Sequence, residues 1–369
     1  MPGRVNSRTP KLEFVIVNIG GAGGLFPGDG PPAEELRRRD NPSVRAGWSS
    51  VRRIVFVGLV IPPIAVGCTD RGPPASSGPP TSVEPAASGS PTAHPSPPPS
   101  GTGGTGRDGG SEFVPPPEQA IPRSPHALAQ VLARTNRSLR AAIGRWVAGG
   151  RPAPARPPGD VALLALYQQR IYRLLARDDR LARRTLPLMP RAMADTVAAN
   201  VGAARSLFSL VGPVPPGYVL HVQRPEPPGR LLGLFREAER RFGVDWQLLA
   251  AVMLVESKFG RTRSASTAGA QGPMQFAPAT WAAYGLGGDV HDPHDAVLGA
   301  ANYLHASGAP GDERRALFAY NHAGAYVDAV EAYASQMRGD PLSYFAYYNW
   351  QVFVVTVDGD RRLTGPGLS

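Results

Sequence analysis

Apolar residues recur every three or four positions from His126 onward. Leu128, Val131, Leu132, Leu139, Ala142, Ile143 and Trp146 form the first stripe, closed by Gly149-Gly150, and this spacing predicts a helix with one buried face. Val161, Leu164, Gln168, Ile171 and Leu175 predict a second helix, and Met189, Met193, Val197, Ala204 and Phe208 a third that ends at Gly212-Pro213. Residues 213–229 are a Pro-rich joint. Beyond it, Arg230–Phe242 reads as a helix closed by Gly243, and Asp245 reads as the cap of the next, with Gly260 at its end. Small polar residues over 261–272 predict a loop. Helices are then predicted over Ala277–Tyr284, over Asp295–Ala306 behind an Asp292-Pro293 start, and over Glu313–Tyr320 and Tyr326–Met337. Trp350–Val357 is β-branched and apolar, and with Asp358-Gly359 as a turn it predicts one short hairpin. The expected fold is mainly α. A helical subdomain (126–212) precedes a helical domain with a small β-hairpin (230–358) and a tail (359–369).

The N-terminal third has no such periodicity. Arg52-Arg53 precedes a short apolar run that ends at Ala65-Val66-Gly67-Cys68. A positive flank, an apolar core and small residues before a cut site are the parts of a secretory signal. The last four residues resemble a bacterial lipoprotein cleavage box, which implies lipidation of Cys68, although Ala65 stands where Leu is usual. Residues 51–68 are therefore expected to be the signal, and 1–50 a disordered stretch ahead of a true start near Val44 or Val51. From Thr69 to Pro125 the chain holds 15 Pro in 57 residues. Such a segment buries too little apolar surface to offset its chain entropy and serves as an extended spacer.

Composition narrows the function. The chain has 369 residues, 41 Pro, 43 Gly and a formal charge of +10. Only Lys11 and Lys258 are lysines, and no basic run interleaved with aromatics appears, so nucleic acid is not the expected partner. A mildly basic surface favours an anionic polymer such as a cell wall. A lone cysteine excludes an intramolecular disulfide and a Cys-rich metal site.

Glu256 carries the candidate chemistry. It closes the apolar run Trp246–Val255 and shares a helix face with Met253, Leu249 and Trp246. A carboxyl held against apolar walls loses hydration, so its pKa rises and it stays protonated as a general acid. No other acidic residue occurs between Glu256 and Asp289.

Glu256-Ser257, then Ser266-Thr267-Ala268-Gly269-Ala270-Gln271-Gly272-Pro273-Met274-Gln275-Phe276, then Ala319-Tyr320-Asn321 resemble the lytic transglycosylases of bacterial cell walls. The Glu-to-Gln spacing is 19, and the resemblance runs from about Arg230 to Trp350. It implies a lysozyme-like fold of the goose type. It also implies cleavage of the β-1,4 bond between N-acetylmuramic acid and N-acetylglucosamine in peptidoglycan, outside the cytoplasm. Glu256 would protonate the glycosidic oxygen and then take a proton from the muramoyl 6-hydroxyl, closing a 1,6-anhydro ring with no second carboxylate. Ser266 would support the intermediate. Gln275 would contact sugar or hold the catalytic loop, and Tyr320 and Asn321 would contact sugar and orient Glu256. A further family Tyr is Tyr333, Tyr344 or none. Trp281 and Tyr284, at helical spacing, lean to packing. Pro273 replaces a usual Leu, and His322 a frequent Ala. Asp289, Asp292 and Asp295 stand where some relatives carry a calcium loop, but Asp292 is better explained as a cap. No metal or cofactor is expected, and the chain is expected to be a monomer. Two alternatives remain: a hydrolytic muramidase on the same fold, and a non-catalytic peptidoglycan-binding lipoprotein.

Overall fold

A computed structural model describes residues 113–149 and 156–368. The expected leader at 1–50, the signal at 51–68 with Cys68, and the linker as far as residue 112 lie outside the described residues.

The described chain is mainly helical, as the periodicity predicts. Its elements are α1 (Pro125–Gly149), α2 (Gly159–Arg177), α3 (Asp179–Thr185), α4 (Arg191–Phe208), α5 (Pro228–Phe242), α6 (Trp246–Ser257), α7 (Pro278–Tyr284), α8 (Pro293–Ala306), α9 (Glu313–Tyr320), α10 (Gly324–Gly339) and α11 (Leu342–Tyr348). An antiparallel pair follows, β1 (Phe353–Thr356) and β2 (Gly359–Arg362), in register Phe353 with Arg362 and Thr356 with Gly359. The turn is thus Val357-Asp358, one residue earlier than the Asp-Gly signal suggests.

Two helices escape the periodicity. α3 is seven residues long, too short to show a stripe. In α11 the run Tyr344–Tyr348 is buried throughout, so no polar face marks it as helical.

α6 is the centre of the molecule. Every residue in it except Gln247 is buried, and α5, α8, α10 and α11 pack around it. A helix apolar on all sides is stable only when other helices cover it completely. Its start differs from expectation. Asp245 makes no side-chain cap bond; its carboxylate accepts from Arg338 Nε at 3.0 Å. The Glu239 carboxylate accepts from the Trp246 N–H at 3.1 Å instead, so a residue of α5 satisfies the orphan donor. Its C-terminal cap is Lys258, which is left-handed at φ 53°; Gly260 follows two residues later. By contrast Asp292 caps α8 as predicted, accepting from the N–H groups of His294 and Asp295.

One hydrophobic core runs without a break from Leu128 to Trp350. α4 packs on α10, and α2 on both α1 and α4, so the upstream helices brace the helices of the candidate site. Two buried glutamines lock this arrangement. Gln169 Nε2 donates to the Gln351 carbonyl at 2.9 Å, and the Gln351 N–H donates to Gln169 Oε1 at 2.7 Å. The Pro-rich joint is also packed. Val214 and Leu220 form a small second core with Val352 and Val354, and the Val214 N–H donates to the Val355 carbonyl at 2.8 Å.

The last part of the expected spacer, residues 113–124, lies against α2. Phe113 meets the Tyr167 ring edge-on at 6.2 Å. Tyr167 donates to the Ala120 carbonyl at 2.9 Å, and Arg170 donates to the Pro117 and Gln119 carbonyls at 2.9 and 3.0 Å. Phe113 and Ile121 supply apolar anchors that a Pro count overlooks.

Candidate active site

The site is built where α6 ends. Glu256 is 2 % exposed, enclosed by the apolar side chains around α6. Burial pushes its pKa up to about 8, against smaller lowering influences from the Tyr326 hydroxyl and the Lys258 ammonium. Glu256 Oε2 is buried and makes no hydrogen bond of full geometry, and the same is true of Tyr326 Oη. The two groups are neighbours that influence one another without a well-formed bond.

The chain then turns sharply. Lys258, Phe259 and Gly260 all have positive φ, at 53°, 60° and 78°, a costly run for two side-chain-bearing residues. Packing holds it in place, since Phe259 is buried with its ring against Tyr344 at 5.5 Å and Tyr348 at 5.9 Å. Ser257 adds a second restraint. Its hydroxyl donates to the Pro273 carbonyl at 2.5 Å and accepts from the Gly260 N–H at 2.8 Å. Ser257 therefore staples the end of α6 to the segment that carries Gln275. Lys258 Nζ donates to the Leu254 carbonyl at 2.9 Å, and burial lowers its pKa to about 7.

Ser266 is buried and closes a tight loop: its N–H donates to the Ala270 carbonyl, and its Oγ accepts from the Ala270 N–H, both at 2.9 Å. Gln271 and Phe276 form an antiparallel bridge, and between them Gly272 and Gln275 take positive φ, at 74° and 52°. The Gln275 side chain is buried and donates through Nε2 to the Gly272 carbonyl at 2.9 Å. It holds the turn. A Cβ on Gly272 would lie 1.8 Å from the Val290 carbonyl oxygen, so only glycine fits there.

Tyr320, the last residue of α9, reaches this same turn. Its hydroxyl donates to the Met274 carbonyl at 2.7 Å, and its ring packs on Phe276 at 5.8 Å and Tyr303 at 5.6 Å. The Glu256 charge and burial both raise its pKa, burial the more strongly. Asn321 is buried beside it, in extended conformation after α9. Trp281 packs on Phe276 at 5.1 Å and Tyr284 on Tyr303 at 4.7 Å, which makes both part of the packing. The structure thus brings Tyr320 and Tyr326 to Glu256, and ties Gln275 to the same segment as Ser257.

Tyr326 is the residue the sequence did not single out. It lies in the first turn of α10 and was expected only as the start of a helix. Tyr333 and Tyr344 belong elsewhere: Tyr333 packs on Tyr347 and Trp350, and Tyr344 donates to the Pro228 carbonyl at 2.7 Å. The available signal was a Tyr shortly after Asn321 at a helix start, which many core tyrosines share.

Asp292, His294 and Asp295 lie within 4.8 Å of one another, but protein groups already occupy them. Asp292 caps α8, Asp295 accepts from the Asp289 N–H at 2.9 Å, and His294 contacts Glu237 and Asp295, each at 3.1 Å. The hydrogen bond to Glu237, with that to Asp295 next, raises the His294 pKa.

Residues 233–340 match the family model described as Transglycosylase SLT domain. The chain is also similar to the membrane-bound lytic murein transglycosylase F of Thiobacillus denitrificans, at 30% identity over 118 residues, which is 30% of this chain and 25% of that protein. The chain thus matches about a quarter of the length of this curated relative. No solved structure matches it. Glu256, Ser266, Gln275, Tyr320, Asn321 and Tyr326 all fall inside the segment that matches the Transglycosylase SLT domain model.

Proposed function

We propose that the protein is a peptidoglycan lytic transglycosylase that cleaves the bond between N-acetylmuramic acid and N-acetylglucosamine and leaves a 1,6-anhydro end. The observation that carries this reading is the Glu256 carboxyl, buried and with its pKa pushed up to about 8. A group in that state holds a proton at neutral pH and gives it to the leaving glycosidic oxygen. The resulting carboxylate then removes the 6-hydroxyl proton, and the sugar closes on itself. Tyr326 stands beside the carboxylate to stabilise it once the proton has left, while Tyr320 and Gln275 keep the adjoining turn in shape. Ser266 supports the intermediate, and Asn321 with Tyr320 contacts the sugar. The name of the similar protein, a murein transglycosylase, supports the same substrate class.

Mass spectrometry of digested peptidoglycan tests this. Anhydro ends are the expected product, and Glu256→Gln should lose roughly 10²- to 10⁴-fold in rate. Reducing ends would favour hydrolysis on the same fold, and undiminished lysis by Glu256→Gln would favour a non-catalytic binder.

The protein acts outside the cytoplasm, held to the membrane by a lipid on Cys68. Among the described residues no helix is long and apolar enough to cross a membrane, and the similar protein is named as membrane-bound. Incorporation of labelled palmitate that disappears in Cys68→Ala is the expected result; equal labelling would refute the anchor.

A further inference from the structure

A cavity of about 330 Å³ opens between α1, α2, α4 and α11. These helices carry none of the candidate site residues. Leu139, Ile143, Met193 and Ala346 give it apolar walls. Besides the charged groups at its mouth, its polar lining holds three side-chain amides, two phenols and the hydroxyls of Thr196 and Ser343. Gln168 Nε2 donates to Asn136 Oδ1 at 3.0 Å, and Asn136 Nδ2 donates to Tyr172 Oη at 3.3 Å. Trp350 Nε1 donates to Gln168 Oε1 at 3.2 Å. On the other wall Tyr347 Oη donates to Asn200 Oδ1, and Asn200 Nδ2 to the Thr196 carbonyl, both at 2.8 Å.

Each side-chain amide offers two N–H donors and two carbonyl lone pairs. These contacts use about half of that capacity at Asn136 and Asn200, while Gln168 also bonds Tyr172 and has less to spare. Gln168 and Asn200 are buried, where apolar side chains would carry a smaller desolvation cost. The mouth holds two arginines and one acid. Arg140 is paired with Asp340, whereas Arg137 is exposed and makes no ion pair among the described residues.

We propose that this cavity binds the carboxylate end of a short peptide. Side-chain amides are the natural partners of peptide N–H and C=O groups, and the apolar walls suit small side chains. The uncommitted Arg137 would take the carboxylate. A free sugar fits less well, since Tyr172 and Tyr347 are 2 % and 3 % exposed and offer no open ring face to stack on. A phosphorylated ligand would call for more than one uncommitted cation. The inference does not depend on the catalytic reading and needs no chemistry at Glu256.

Calorimetric titration of the full chain with N-acetyl-L-alanyl-D-alanine tests it, with the C-terminal amide of the same peptide and N-acetylglucosamine as comparisons. Saturable binding of the acid is expected, about tenfold or more weaker for the amide and for Arg137→Met. Thr196→Phe places a ring at the exposed rim, clear of the core, and should abolish binding while thermal unfolding stays unchanged. The proposal fails if the acid does not bind by ~10 mM, if acid and amide bind alike, if the sugar binds better, or if Thr196→Phe binds normally.

Discussion

The Tyr326 hydroxyl stands beside the Glu256 carboxyl, yet neither Tyr326 Oη nor Glu256 Oε2 completes a hydrogen bond of full geometry. An unsatisfied pair of this kind is unfavourable for stability and useful for chemistry, because the phenol can donate when the carboxylate forms. Tyr326→Phe removes a buried hydroxyl that has no good partner. Its unfolding free energy should therefore stay within about 1 kcal/mol of wild type. Glycan cleavage should fall by about tenfold or more. Thermal denaturation alongside a peptidoglycan digest checks both; a large loss of stability with normal specific activity would show a packing role only.

The Glu256 pKa makes stability depend on pH. An exposed carboxyl titrates near 4.5 and the native one near 8. Between those values the folded chain holds the extra proton, so this group lowers stability as pH rises through the window, with no further loss above about 8. Lys258 works in the opposite sense. Its native pKa of about 7 against 10.5 adds stability as pH rises between the two. Comparison with Glu256→Gln isolates the first effect. The variant should be more stable than wild type at pH 9, on the order of a few kcal/mol, with the gap gone by pH 4. Denaturant unfolding at both pH values measures it, and a gap that does not change with pH would contradict the raised pKa. Activity should decline above pH ~8 as the acid form is lost.

Tyr320 holds the turn after Gly272 through one bond, from its hydroxyl to the Met274 carbonyl at 2.7 Å. Met274 is buried, so Tyr320→Phe strands that carbonyl without water. A loss of about 1–3 kcal/mol is expected, together with faster hydrogen exchange over residues 271–276. Unchanged exchange there would mean that the ring contacts with Phe276 and Tyr303 suffice.

Gly272→Ala should be far worse than an ordinary glycine substitution. The new methyl would meet the Val290 oxygen at 1.8 Å, in a backbone already at φ 74°. Strain alone costs about 1–3 kcal/mol, and relieving the clash must move the turn stapled to Ser257. Both a lower melting temperature and a lost digest are expected. Gly269→Ala is the control, because it shares a positive φ but nothing lies within 4 Å of its added methyl.

The sequence by itself determined most of the helices and the burial of Glu256 at the centre of the candidate site. Periodic apolar positions, Gly243 and Asp292 act within a turn or two of chain, so their consequences can be read locally. The apolar run before Glu256 likewise foretold a buried acid. Only the tertiary structure decided what surrounds that acid. Asp245 reads as a cap, yet it turns to Arg338 while Glu239 takes the Trp246 N–H. Gln275 folds back on its own turn, and Ser257 reaches across to Pro273. Tyr326, one of several tyrosines that look alike in sequence, becomes the neighbour of Glu256 because α10 is wedged between α4 and α6. Periodicity says which face of a helix is buried; which side chains meet there is set by how separate helices pack, and that is a property of the whole core.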